Sequence, residues 1–248
     1  VPNRFQVGSR SVPGRFQVPI VVWGVGLSAR GTFRRMALVD PAVVEMPDDP
    51  ASGAMPPYGR LVEWTAAEIA GLTDDHLDFD DSSPDAEWMW WSIRRQVSHM
   101  AWDALVFSYR RCAKFLFTDG VAPEVIVWAD HRLGPKAKWD RVLDEDRSWQ
   151  LPDIFEKWQV GIDWLTRTVQ EQSIDTLRAT CETVHGTPFW SYVITTLPRG
   201  AVHDPDDERM ITYDLEGSLW MVFYEQLAHI RTIQRLKAHQ GLELAVVL

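Results

Sequence analysis

The stretch LWMVFYEQLAHIRTIQRLKAHQG, Leu219 to Gly241, sets the tightest limit on the fold. Leu219, Val222, Phe223, Leu227, Ile230, Ile233 and Leu236 recur at steps of three and four, the period of one face of an α-helix. A helix with such a face is marginal alone and must bury it against other helices. The same stretch places Glu225 and His229 one helical turn apart among apolar neighbours. A carboxylate is rarely buried without a partner, and a carboxylate one turn from an imidazole is also how a helix offers two ligands to one metal ion.

Three earlier segments supply matching faces. YGRLVEWTAAEIAGL, from Tyr58, aligns Leu61, Trp64, Ala67 or Glu68, and Leu72, with Gly71 as a stop. SIRRQVSHMAWDALVFSYRRCAKFLF, capped by Ser92 and running to Phe117, aligns Ile93, Val97, Met100, Ala104 and Phe107 or Phe115. PDIFEKWQVGIDWLTRTVQEQ, with Pro152 suited to a first turn, aligns Phe155, Trp158, Ile162, Leu165 and Val169. A short helix is expected in SIDTLRATC and another around KAKWDRVLDED, and SYVITT is the one strand-like run. The pattern predicts an all-α fold, an antiparallel four-helix bundle with long loops at one end.

Residues 1–52 read differently. VPNRFQV returns as VPGRFQV, the segment ends in MPDDPASGAMPP, and no helical period emerges. The expected organisation is an irregular N-terminal extension over 1–52 and a bundle domain over 53–248.

The net charge of −10 and a pI near 5.1 speak against a broad phosphate-binding surface, so nucleic acid is not an expected partner. PIVVWGVGL, residues 19–27, is too short to span a bilayer and lacks a cleavage signature, so no membrane association and a cytoplasmic location are expected. Cys112 and Cys181 are too far apart in sequence and too few for a thiolate zinc site, and are expected as reduced core thiols. The 13 tryptophans fit packing residues that lock helix ends, with an aromatic-walled pocket as the sharper alternative.

Of the seven histidines, His76, His131, His185 and His203 fall in predicted loops and His239 at a polar helix end, leaving His99 and His229 mid-helix among apolar residues. On facing helices His99, Glu225 and His229 could converge on one ion, and two imidazoles with one carboxylate leave a coordination position open. Asp103, one turn beyond His99, is a candidate to orient its ring, and Gln96 lies one turn before. The competing reading is a hydrogen-bonded core histidine, with Glu225 paired to Arg231 or Arg95 at the surface.

Two of these stretches resemble the DinB/YfiT-like superfamily of metal-dependent enzymes. LTDDHLDFDDSSPDAEWMWWSIRRQVSHMAW is similar to the lead-in and start of that family's second helix, with a Trp-Ser start and His99 seven residues after Ser92. YEQLAHIRTIQRLK resembles its last helix, with His229 at the second position of the H-x-x-x-H pair and Glu225 in place of the first histidine. The resemblance implies a four-helix bundle holding a divalent metal, commonly zinc or nickel, on three side chains, and frequent homodimers. It also implies transferases using a low-molecular-weight thiol, or related hydrolases, acting on a small-molecule substrate, with Asp103 or His185 left to serve as general base. The two-histidine, one-carboxylate set admits a non-haem iron centre instead, with manganese a further option. A non-catalytic bundle that binds a small molecule or a subunit is the third reading.

Overall fold

A computed structural model describes residues 58–81, 89–108, 141–186 and 200–248, with the single positions 112, 116 and 194. The expected extension over 1–52, the strand-like run SYVITT apart from Ile194, and most of the second helix beyond Ser108 lie outside the described residues.

Four long helical segments form the body, as the periodicity predicts. Helix α1 covers Tyr58–Ile69 and buries Tyr58, Leu61, Trp64 and Glu68. Gly71, with φ +77, ends it in a conformation that costs glycine nothing. A single turn, α2 (Asp74–Leu77), follows under a Thr73 cap. Helix α3 (Ile93–Trp102) starts at the expected Ser92 cap, whose hydroxyl accepts from the Arg95 amide, and continues into a π-helical segment, Asp103–Ser108. Helix α4 (Leu151–Glu171) carries Pro152 in its first turn. A one-turn helix, α5 (Ile174–Leu177), precedes the sheet. The last helix, α6 (Leu215–His239), begins a turn earlier than its apolar period suggests because the Asp214 side chain caps it, accepting from the Gly217 amide.

A small antiparallel sheet lies between α5 and α6, where SYVITT was the one strand-like run expected. Strands β1 (Thr180–His185), β2 (Ala201–His203) and β3 (Met210–Asp214) pair in the order β1-β3-β2. Strand β3 alternates in burial, with Ile211 and Tyr213 inward. Strands of three to six residues give almost no period-two signal. His185 and His203 therefore stand on strands, and His76 on α2. The described part of KAKWDRVLDED, residues 141–146, forms turns and no helix.

The helix directions depart from a simple antiparallel bundle. Tyr58 donates to the Leu219 carbonyl while Glu68 meets Gln234 and Lys237, so α1 and α6 run the same way. Gln96 meets His229 and Met100 meets Gln226, so α3 and α6 run in opposite directions. With α1 and α6 parallel and α3 opposed to both, one of the two long connections, 103–150 or 172–214, must carry the chain from one end of the bundle to the other. Short loops enforce antiparallel neighbours, and connections of this length do not.

The core fills the space among α1, α3, α4 and α6, with Trp158, Trp220, Tyr58, Phe223 and Met100 fully buried. Most described tryptophans therefore act as packing residues. Cys112 is buried and in no disulfide, as expected; the side chain of Cys181 is outside the described residues. Gly161 lets α4 press onto the π-helical segment, since a Cβ there would lie 2.8 Å from the Ala104 Cβ and 3.0 Å from its carbonyl carbon. Gly161→Val should lower stability by about 1–3 kcal/mol, the usual cost of overpacking, read as an earlier midpoint in urea unfolding. No helix among the described residues is long and apolar enough to cross a membrane.

Candidate metal centre

Helices α3 and α6 bring His99, Glu225 and His229 together, with one ligand atom of each lying within 4.8 Å of the others. His99 Nε2 is 3.7 Å from Glu225 Oε1, and the two imidazole rings have centroids 4.5 Å apart at 56°. Donors about 2.1 Å from a tetrahedral ion stand about 3.4 Å from one another, so the residues present fit such an ion with little rearrangement. His99 and His229 are buried, while the Glu225 side chain is 24% exposed and marks the open side.

Both rings are held from behind by oxygen. His99 Nδ1–H donates to the Arg141 carbonyl at 2.5 Å, and His229 Nδ1–H donates to Gln96 Oε1 at 2.5 Å. The Gln96 amide is oriented by its own Nε2–H, which donates to the Trp91 carbonyl at 3.1 Å. An acceptor at Nδ1 fixes the tautomer and leaves Nε2 as the lone-pair nitrogen, the form in which imidazole binds a metal. Burial, helped by the nearby His99 and the charge of Arg141, pushes the His229 pKa well below its usual value and keeps that ring neutral.

Asp103, the candidate to orient the His99 ring, is not the partner of His99 Nδ1. The Asp103 carboxylate is buried and accepts from Gln226 Nε2 at 3.4 Å, while His99 takes the Arg141 carbonyl instead. The reason is geometric: Gln226 follows Glu225 on α6 and reaches across to the π-helical segment, and its Oε1 accepts from Trp158 on α4. Asp103, Gln226 and Trp158 thus brace three helices beside the site. Gln96, noted in the sequence only as a neighbour of His99, is the partner of His229. Glu225 does not pair with Arg95, which binds Glu145 at 2.8 Å. His185 is exposed on β1 with its Nδ1 against the Gly186 carbonyl, outside the cluster of ligand atoms.

Arg141 escapes a reading from sequence altogether. It is the non-glycine residue with positive φ among those described, at 54°. The segment it opens runs back along α3: Arg141 to His99, the Leu143 amide to Ser98 Oγ at 3.0 Å, Glu145 to Arg95, and the Trp149 carbonyl to Arg94. Four successive ties hold that strap, and the left-handed backbone at Arg141 aims its carbonyl at His99. Trp91 and Trp102 flank His99, at centroid distances of 5.2 and 5.7 Å, the second nearly parallel to the ring.

No protein-family model and no curated protein matches the chain. Among solved structures it is similar to YfiT from Bacillus subtilis, described as a probable metal-dependent hydrolase with an unusual four-helix bundle topology. The TM-score is 0.43 at 14% identity, covering 75% of this chain and 85% of that one. What the site can do follows from its own donor atoms.

Proposed function

We propose that the chain is a metal-dependent enzyme acting on a small molecule, by hydrolysis or by transfer of a low-molecular-weight thiol, at an ion held by His99, Glu225 and His229. The observation that carries this reading is the convergence of three donors whose two imidazoles are already turned ligand-ready by Arg141 and Gln96. A structural site closes four positions, whereas three protein donors with one partly exposed leave a position for exchange. A divalent ion there would supply Lewis acidity and a lowered pKa for a water or thiol.

The chain's own residues do the rest. His99 and His229 fix two donor directions from opposed helices, Glu225 brings a negative charge to the open side, and the Asp103–Gln226–Trp158 brace holds the helix spacing. Trp91 and Trp102 exclude water from one flank. Zinc or nickel suits two imidazoles, and the single carboxylate favours iron or manganese as the second reading.

Metal content of the protein as purified, followed by titration of the stripped chain with zinc, nickel, iron(II) and manganese(II), tests the proposal. One ion per chain is expected, lost in His99→Ala. A chain that binds none of the four sinks it. Oxygen uptake by the iron-loaded chain would select the second reading over the first.

A further inference from the structure

Arg141 contributes more than a carbonyl. Its guanidinium lies 5.9 Å above the Trp91 ring, and Trp91 in turn packs against His99. The residue is exposed, and among the described residues its side chain meets no carboxylate, in contrast to Arg60, Arg94, Arg95, Arg178, Arg209 and Arg235. A chain of net charge −10 thus keeps a cation with no carboxylate partner among the described residues beside the one cluster of potential metal ligands found there, held by a left-handed backbone and a tryptophan face.

We infer that Arg141 anchors a carboxylate of the substrate while the substrate's reacting end occupies the open position at His99, Glu225 and His229. This rests on the metal-centre reading. The guanidinium fork matches a carboxylate's two oxygens, and the Trp91 stack fixes the plane of the fork at little entropic cost. One guanidinium balances one negative charge, which suits a carboxylate better than a doubly charged phosphate. The substrate is therefore a small carboxylic acid whose metal-binding group lies at a distance from its acid group.

Cobalt(II)-loaded full-length protein gives the test. The probes are 6-mercaptohexanoate, 6-mercaptohexanol and 6-aminohexanethiol, each too long to close a small chelate ring on the ion, and the cobalt-thiolate charge-transfer band reports binding. The unmodified protein should bind the carboxylate about 5-fold more tightly than the alcohol at low salt, as suits one partly exposed charge-assisted pair. The preference should shrink in about 0.5 M NaCl, where screening is strong. Arg141→Gln keeps the backbone carbonyl that His99 meets and should lose the preference, its own cobalt spectrum serving as the reference for each probe. Arg141→Glu should turn the preference toward the amine. Cobalt uptake without discrimination, discrimination unchanged in Arg141→Gln, or no thiolate band at all would overturn the anchor while leaving the metal centre standing. Failure to bind cobalt would overturn the metal reading itself.

Discussion

His99→Ala should lose the metal ion, or weaken its binding by at least about 100-fold, because removal even of outer partners that merely orient ligands costs about 10- to 100-fold. Gln96→Leu tests that lesser loss: it keeps all three donors and leaves His229 Nδ1–H without its acceptor. Glu225→His should behave differently from both. It keeps the one-turn spacing to His229, retains an ion, and shifts preference toward softer metals as imidazole replaces carboxylate oxygen. Glu225→Gln keeps the shape without the charge and should bind more weakly than Glu225→His. Competition with a chromophoric chelator ranks the series, and equal affinity across it would reduce Glu225 to a charged residue on a helix.

The largest expected loss of stability lies at the other end of α6. Glu68 is fully buried and accepts from Lys237 Nζ at 2.5 Å, Gln234 Nε2 at 2.7 Å, and the amides of Ala245 and Val246 at 3.2 and 2.9 Å. Lys237→Met strands that carboxylate and should cost about 3–5 kcal/mol, whereas the double change Glu68→Leu with Lys237→Met should recover most of it. Burial alone would raise the Glu68 pKa, but the bonds from Lys237, Gln234, Ala245 and Val246 together hold it below its ordinary 4.5. A depressed carboxylate contributes stability that is present above its unfolded value and lost as pH falls through the folded one. The unmodified protein should therefore weaken as the medium is taken below about pH 4.5. Lys237→Met should show the opposite trend on acidification from neutrality, since protonation removes its unpaired charge. Urea midpoints across that range decide it, and parallel curves for the two proteins would count against the account.

What the sequence made legible is what period and spacing encode. Leu61, Trp64 and Glu68 on α1, and Leu219 through Leu236 on α6, are buried where a 3.6-residue repeat places them. His99, Glu225 and His229 could be grouped because mid-helix polar residues among apolar ones are few. Strands β1 to β3 stayed hidden because short, half-exposed strands offer too few alternations. The shared direction of α1 and α6 stayed hidden because periodicity says which face is buried and nothing of which end meets which. Arg141 was invisible for a third reason: a backbone carbonyl carries no side-chain signature, and a loop arginine looks like any surface cation until its φ and its neighbours are known.

The ring of donors around Glu68 has a bearing on the order in which the chain can complete itself. The carboxylate belongs to the first described helix, yet its partners are separated from it in sequence by 166 to 178 positions. During synthesis α1 emerges with a charge it cannot bury, and it must wait, still hydrated on that face, until Lys237 and then Val246 have left the ribosome. Completion of the Glu68 site therefore waits for the return of the last turn of α6 and the segment after it to α1. A nascent chain halted before residue 234 holds His99, Glu225 and His229 without the Gln234 and Lys237 bonds that join the end of α6 to α1.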